Sequence, residues 1–219
     1  MSTEKISRRS RAHVRYKLAD GTIVPGVTTI LGVLAKPALI GWANRLGLQG
    51  IDSTKYVDEK ADIGTCCHYL IECDLKGTEP DVSEFSPAVL DEASNGFLKW
   101  LDWKSGHGLK LLGSELSLVS ETYRYGGTVD VYCELDSVPT LLDIKTSGSG
   151  IWPEMKHQVA AYARLLEENG NRVQEVYILR VGRNEDEGFE YQRVGGIDKH
   201  WEMFTLCRRI YDLQSELRK

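Results

Sequence analysis

The sequence has no run of about 18 apolar residues, the least a membrane-crossing helix needs, so no membrane partner is expected. Residues 1–17 contain no apolar core of the kind a secretory signal carries, so no export is expected either. Only five cysteines occur: Cys66, Cys67, Cys73, Cys133 and Cys207. The number is odd and no C-x-x-C is present, which argues against a disulfide framework or a zinc site. Reduced thiols in a cytoplasmic setting are expected, in a bacterial or phage-infected cell. The chain also lacks GxxxxGK[ST], a GxGxxG after a strand, HExxH and GxSxG. Most P-loop NTPases, Rossmann dehydrogenases, zinc proteases and α/β-hydrolases are thereby set aside. None of these absences touches metal-dependent phosphodiester chemistry, which needs only carboxylates and a lysine.

What is present is ordinary globular material. The 219 residues are 42% apolar and 27% charged, enough for one well-buried core. The net charge of −5 excludes a uniformly basic nucleic-acid coat. The charge is uneven, however. Residues 1–17 hold Lys5, Arg8, Arg9, Arg11, Arg15 and Lys17 against Glu4 alone, a net +5, so the remainder carries −10. Residues 1–12 read as a basic arm, either a solvated tail or a segment that lies on phosphates through Arg8, Arg9 and Arg11. Residues 13–219 read as a single domain.

Periodicity and turn residues divide that domain. His13 to Leu18 and Thr22 to Val24 suggest a short hairpin around Ala19-Asp20-Gly21. Pro37 opens a helix to Leu48. Ser53 is read as the cap of the next, which ends before Gly77, and Ser86-Pro87 starts a third. After Gly108 the pattern turns to strands: Leu111 to Ser120, Gly127 to Glu134 and Thr140 to Lys145. Pro153 to Glu168 is helical, Val173 to Val181 and Glu190 to Val194 are extended, and Ile197 to Leu217 forms a terminal helix. The order predicts an α/β fold, a central mixed sheet flanked by helices.

The segment Leu141-Leu142-Asp143-Ile144-Lys145-Thr146 carries the most chemistry. On a strand Asp143 and Lys145 share a face while Leu142 and Ile144 take the other. If the preceding strand pairs with it, Asp130 comes beside Asp143. Two carboxylates so placed repel unless a divalent cation sits between them, and oxygen-rich sites suit Mg²⁺ or Mn²⁺. Alone, the D-x-K triplet fits a solvated surface hairpin equally well. Gln158 and Tyr162, four apart on one helix face, could sit beside the acids. His68 lies one turn after Gly64, and Glu72 one turn after His68. Glu115 falls in the strand run before Asp130. The Cys66-Cys67 pair has no second histidine or oxyanion motif near it and is not read as a nucleophile. Lys99-Trp100-Leu101-Asp102-Trp103-Lys104 interleaves bases with aromatics, and Arg124 stands between Tyr123 and Tyr125. Such segments can stack unpaired bases, although the tryptophans also fit a helix core.

In this order the motifs resemble the PD-(D/E)xK nuclease superfamily and, within it, the RecB-like branch of small phage-type and mitochondrial-type exonucleases. They run from GTxxHxxxE at Gly64 to Glu72, through Glu115, GGTVD at Gly126 to Asp130 and LLDIKT at Leu141 to Thr146, to QxxxY at Gln158 to Tyr162. Val24 to Leu31 and Lys36 to Trp42 look like the N-terminal signature of that branch, with Gly26 where the family often has Ser. The resemblance implies a restriction-endonuclease-like fold. It implies His68, Asp130, Asp143 and the Ile144 carbonyl as ligands of one or two Mg²⁺ or Mn²⁺ ions. Lys145 would then act on the attacking water and the phosphate, with Gln158 and Tyr162 in support and Glu115 near a second metal or holding the fold. The cysteine spacing lacks the four-cysteine pattern of the iron–sulfur members, so no cluster is expected. DNA with a free end is the implied substrate, gripped by Lys99, Trp103, Arg124, Tyr125 and the arm, and an annealing protein or helicase is the implied kind of partner. A structure-specific endonuclease on the same fold, or a DNA-end-binding module without catalysis, are the competing expectations.

Overall fold

The computed structural model describes residues 15–218. The basic arm, with Arg8, Arg9 and Arg11, lies outside the described residues.

Five strands form the main sheet in the order β3 (Leu109–Ser120), β4 (Tyr125–Leu135), β5 (Val138–Thr146), β6 (Glu175–Val181) and β7 (Phe189–Arg193). All neighbours are antiparallel except β5 and β6, which run parallel. A parallel pair needs a crossover, and α5 (Pro153–Glu168) supplies it. The architecture is therefore a mixed sheet between two helical layers. On one side α5 packs with α1 (Val27–Leu31) and α6 (Ile197–Glu216) around Tyr125, Val129, Leu141, Leu165, Ile178 and Phe204. On the other, α3 (Ser53–Lys76) and α4 (Pro87–Ser105) cover Val131, Cys133, Leu142, Ile144 and Leu179. Helix α2 (Pro37–Leu48) buries none of its residues. No helix among the described residues is long and apolar enough to cross a membrane.

Local chemistry sets the element ends. The α3 cap is Asp52, not Ser53: its carboxylate accepts from the backbone amides of Thr54 and Lys55. A carboxylate there also complements the positive end of the helix dipole. Gly77 ends α3 in the left-handed conformation, φ 63°. At α4, Ser86 caps through its hydroxyl and Pro87 occupies the first turn, where its missing N–H costs nothing. The Thr-rich stretch after Pro25 is the short helix α1.

The expected N-terminal hairpin forms, as β1 (Tyr16–Lys17) against β2 (Ile23–Val24). It docks on the glycine pair at the start of β4. The Gly126 amide donates to the Pro25 carbonyl, and the Tyr16 hydroxyl lies 3.0 Å from Thr128 Oγ1. A Cβ on Gly126 would sit 2.2 Å from Tyr16 Cγ, and one on Gly127 would sit 2.6 Å from Tyr162 Cε1. The two glycines thus open two neighbouring seats for tyrosine rings. Gly126→Ala is expected to destabilise the fold by about 1–3 kcal/mol through overpacking. In a Tyr16→Ala background the same change should cost much less. Urea unfolding of the four proteins of this cycle would measure the coupling, and additive losses would mean that the ring does not depend on Gly126.

Candidate active site

Side chains alternate faces along a regular strand, yet β4 breaks this rule while paired with β3. Leu109, Leu111, Val131 and Cys133 belong to the core under α3 and α4, while Leu116, Leu118 and Val129 belong to the core under α5. Val129 and Val131 should share a face and do not. In β4 the break falls at Asp130, and β3 answers it with an irregularity of its own, a register shift between Leu111 and Gly113. Between the pairs Ser114↔Val131 and Leu116↔Val129, Glu115 and Asp130 occupy facing positions. Glu115 has a φ of 50°, a left-handed conformation that side chains rarely adopt and that stores about 1–3 kcal/mol of strain. Two acids therefore stand opposite one another where the β-ribbon turns over.

Strand β5 leaves the ladder at the same level. Its pairing with β4 ends at Val131↔Leu142. Beyond it, the Ile144 amide donates to Asp130 Oδ2 at 2.8 Å. The carboxylate thus replaces the backbone acceptor that the diverging strand has withdrawn. From α3, His68 approaches with Nδ1 3.9 Å from the same oxygen. Each of His68, Glu115 and Asp130 offers a ligand atom, and these atoms lie within 4.8 Å of one another. They line an open cleft with Glu72, Ser114 and Ile144. Gly64, which the spacing suggests is there for a close approach, meets Thr146 at the end of β5: a Cβ would come within 2.7 Å of the threonine hydroxyl. That contact brings α3, and with it His68, down onto the sheet.

Asp143 lies alongside this cluster. It is 1% exposed, with Lys145 Nζ 2.6 Å from Oδ2. The approach lacks the angles of a hydrogen bond, and neither Asp143 oxygen finds another partner among the described residues. Burial, reinforced by Asp130, pushes the Asp143 carboxyl above its ordinary pKa, although Lys145 pulls the other way. Burial works against the Lys145 charge, but Asp143 and Asp130 outweigh it and hold the ammonium firmly protonated. On α5, Gln158 Nε2 donates to the Tyr162 hydroxyl at 2.8 Å. Burial, with Asp143 and Asp130 adding to it, raises Tyr162 well above its usual value, so the phenol keeps its proton.

One imidazole, two carboxylates within reach and a third carboxylate with unsatisfied oxygens make a donor set suited to a divalent cation such as Mn²⁺ or Mg²⁺. Ile144 reaches the cluster through its amide, which Asp130 accepts.

The expected nucleic-acid contacts fare differently. Tyr125 is fully buried and donates its hydroxyl to the Ala161 carbonyl, so it is a core residue and cannot meet DNA. Trp103 is also buried, stacked on His107 and packed against Trp100 and Tyr191. In both cases packing of apolar area outweighed the charge pattern of the neighbouring residues. Lys99 donates to the Asn184 carbonyl. Arg124 is exposed in a left-handed turn, φ 54°. Burial and the neighbouring Cys66 push the Cys67 thiol up to about 12, which leaves no thiolate for attack. Glu72 was visible as part of a motif but not as a cleft residue. Ser114 carried no sequence signal, because only the turning ribbon brings it to the cleft.

No protein-family profile and no curated protein sequence matches the chain. Among solved structures, it is similar to a provisionally named exonuclease from Eubacterium rectale at 12% identity and a TM-score of 0.49. That likeness covers 68% of this chain and 64% of the other, so the chain spans less than two-thirds of that relative's length. It is also similar to an alkaline exonuclease from Laribacter hongkongensis at 13% identity and a TM-score of 0.35, covering 73% of this chain and 89% of that one.

Two measurements test this site. Mn²⁺ or Mg²⁺ should raise the melting temperature by several degrees, as any ligand that binds only the folded state must. Asp130→Asn should remove the shift, and His68→Ala should demand more metal for the same shift. The metal-free protein should respond to pH in one direction. Asp143 has a raised carboxyl pKa in the folded state, so the folded state binds the extra proton. Stability should therefore fall as pH rises from about 4, the ordinary carboxylate value. In Asp143→Asn that decline should be absent, and an unchanged pH profile would remove the raised proton affinity assigned to Asp143.

Proposed function

We propose that this protein is a metal-dependent DNA exonuclease of the RecB-like branch of the PD-(D/E)xK superfamily. The observation that carries the reading is the meeting of His68, Glu115 and Asp130 within 4.8 Å, beside the buried Asp143 and its half-buried partner Lys145 on the adjacent strand. A binding surface for DNA phosphates gains nothing from three acids gathered around one cleft. A site that holds one or two cations does.

His68, Asp130, Asp143 and the Ile144 carbonyl would hold the ion, with Glu115 on its other side. When bound, the ion supplies Lewis acidity toward water and the phosphate oxygens. The protein's own groups have separable tasks. Lys145 keeps its charge because Asp143 and Asp130 outweigh its burial. It places a fixed positive charge where negative charge accumulates as a water attacks phosphorus. Asp130 fixes the diverging end of β5 through the Ile144 amide and so sets the distance between the two acidic strands. Gln158 occupies the lone-pair side of the Tyr162 oxygen, which leaves the phenol proton free to donate to substrate. The products of this chemistry are a 5′ phosphate and a free 3′ hydroxyl, with no covalent enzyme intermediate.

The role in recombination, repair or phage DNA metabolism, in the cytoplasm and beside an annealing protein or helicase, belongs to the same proposal. The exposed Arg124, the half-buried Lys99 and the arm residues Arg8, Arg9 and Arg11 would offset the acidic body as DNA approaches.

The deciding experiment offers linear and covalently closed circular DNA, single- and double-stranded, with Mg²⁺ or Mn²⁺, and follows acid-soluble release. Release from linear DNA only is expected. Asp130→Asn, Asp143→Asn and Lys145→Ala should each reduce it by about 100-fold or more, the scale of losing one transition-state charge contact, while circular dichroism stays native. Closed circles cut as fast as linear DNA would replace the exonuclease with an endonuclease, and full activity in two of the three variants would remove the nuclease reading.

A further inference from the structure

Helix α6 has two apolar faces. One is buried: Phe204 and Cys207 sit in the core with Trp201 and Tyr211 packed against it. At about 100° per residue, Leu206, Ile210, Leu213 and Leu217 fall on the opposite side. There they are 55%, 45%, 39% and 85% exposed. A surface helix normally turns charge outward on that side. These four, preceded by Met203, recur at alternating intervals of three and four residues, the spacing of a coiled-coil seam. Single exposed leucines need no explanation, but a continuous stripe along a helix does.

The charges beside the stripe identify its occupant. Arg209 and Glu216 lie along one edge, seven residues apart, and neither forms an ion pair among the described residues. We propose that the stripe is a self-association surface on which α6 of a second copy lies antiparallel, giving a twofold dimer. Only one register satisfies the whole pattern. It sets Leu206 against Leu217 of the second copy, and Ile210 against Leu213, with the same two layers repeated by symmetry. In that register Arg209 of each copy meets Glu216 of the other, twice, at the edge of the seam. Shifting the copies by a heptad toward the N-terminus would pair Glu with Glu and Arg with Arg. A parallel arrangement would set Arg209 against Gln214 and forgo the ion pairs. The stripe is thus complementary to itself in one orientation, which is the requirement for an isologous interface. Cys207 faces the core and takes no part.

The test is sedimentation velocity of the full chain across about 1–200 μM, at low and moderate salt, with circular dichroism as the folding control. A concentration-dependent monomer–dimer equilibrium is expected. Ile210→Asp should abolish the dimer while leaving the fold intact, since the side chain is exposed. Arg209→Glu and Glu216→Arg should each weaken association by about tenfold or more, because each creates two like-charge contacts. The double charge swap should bring it back to near the original strength. A chain that stays monomeric at the highest concentration overturns the proposal. So does a dimer that survives Ile210→Asp, or one indifferent to the charge swaps, since its contact surface or register would then be another.

Discussion

The Asp130 carboxylate and the Ile144 amide form the joint on which the site depends. A β-ladder that continued past Val131 would satisfy that amide with a backbone carbonyl and close the strands together. The ladder stops instead, and an acid from β4 takes over the hydrogen bond at 2.8 Å. A buried amide must find an acceptor, so the bond that holds the strands also fixes the acid. The same residue faces Glu115 across the turn-over of the β-ribbon and His68 across the cleft. One carboxylate thereby ties together two strands, a helix and the candidate metal donors. The backbone strain at Glu115 is consistent with a site whose geometry is imposed by its surroundings.

Electrostatically the site is held away from its own optimum. Asp143 is almost wholly buried and its oxygens lack proper hydrogen bonds, with Lys145 as its closest counter-charge among the described residues. In a purely structural core such a pair could be exchanged for apolar residues of similar size at little loss. Keeping it makes sense if the missing partner arrives with function. A divalent ion would relieve the repulsion between Asp130 and Asp143 and lower the cost of burying both. Stability and activity would then respond together to the same ligand.

Much of this arrangement was legible in the sequence because local rules carry it. Pro153 and the Asn169-Gly170 stop bound α5, and the two-residue alternation of Leu142, Asp143, Ile144 and Lys145 held on a strand whose two faces are both covered. The readings that failed depended on distant partners. Tyr125 and Trp103 stand next to basic residues in the sequence, yet their rings are claimed by α6 and by Tyr191. Period-two reasoning also cannot foresee a strand that changes faces, so Glu115 was legible as an acid in the right order but not as the partner of Asp130. Gly126 and Gly127 were visible as a motif, while the two tyrosines that need them lie 110 residues upstream and 35 downstream.

The seat of Tyr16 on Gly126 also orders events in time. Its hydroxyl partner, Thr128, is 112 residues away in the chain. During synthesis the N-terminal hairpin emerges first, but its dock does not exist until β4 has left the ribosome and paired with β3. Contacts of such sequence separation are slow to form and carry a large loop-closure cost. The hairpin can therefore dock only once β3 and β4 have paired, and until then the seat of Tyr16 on Gly126 stands open. The earliest-made part of the described fold is thus fixed in place by a strand made long after it.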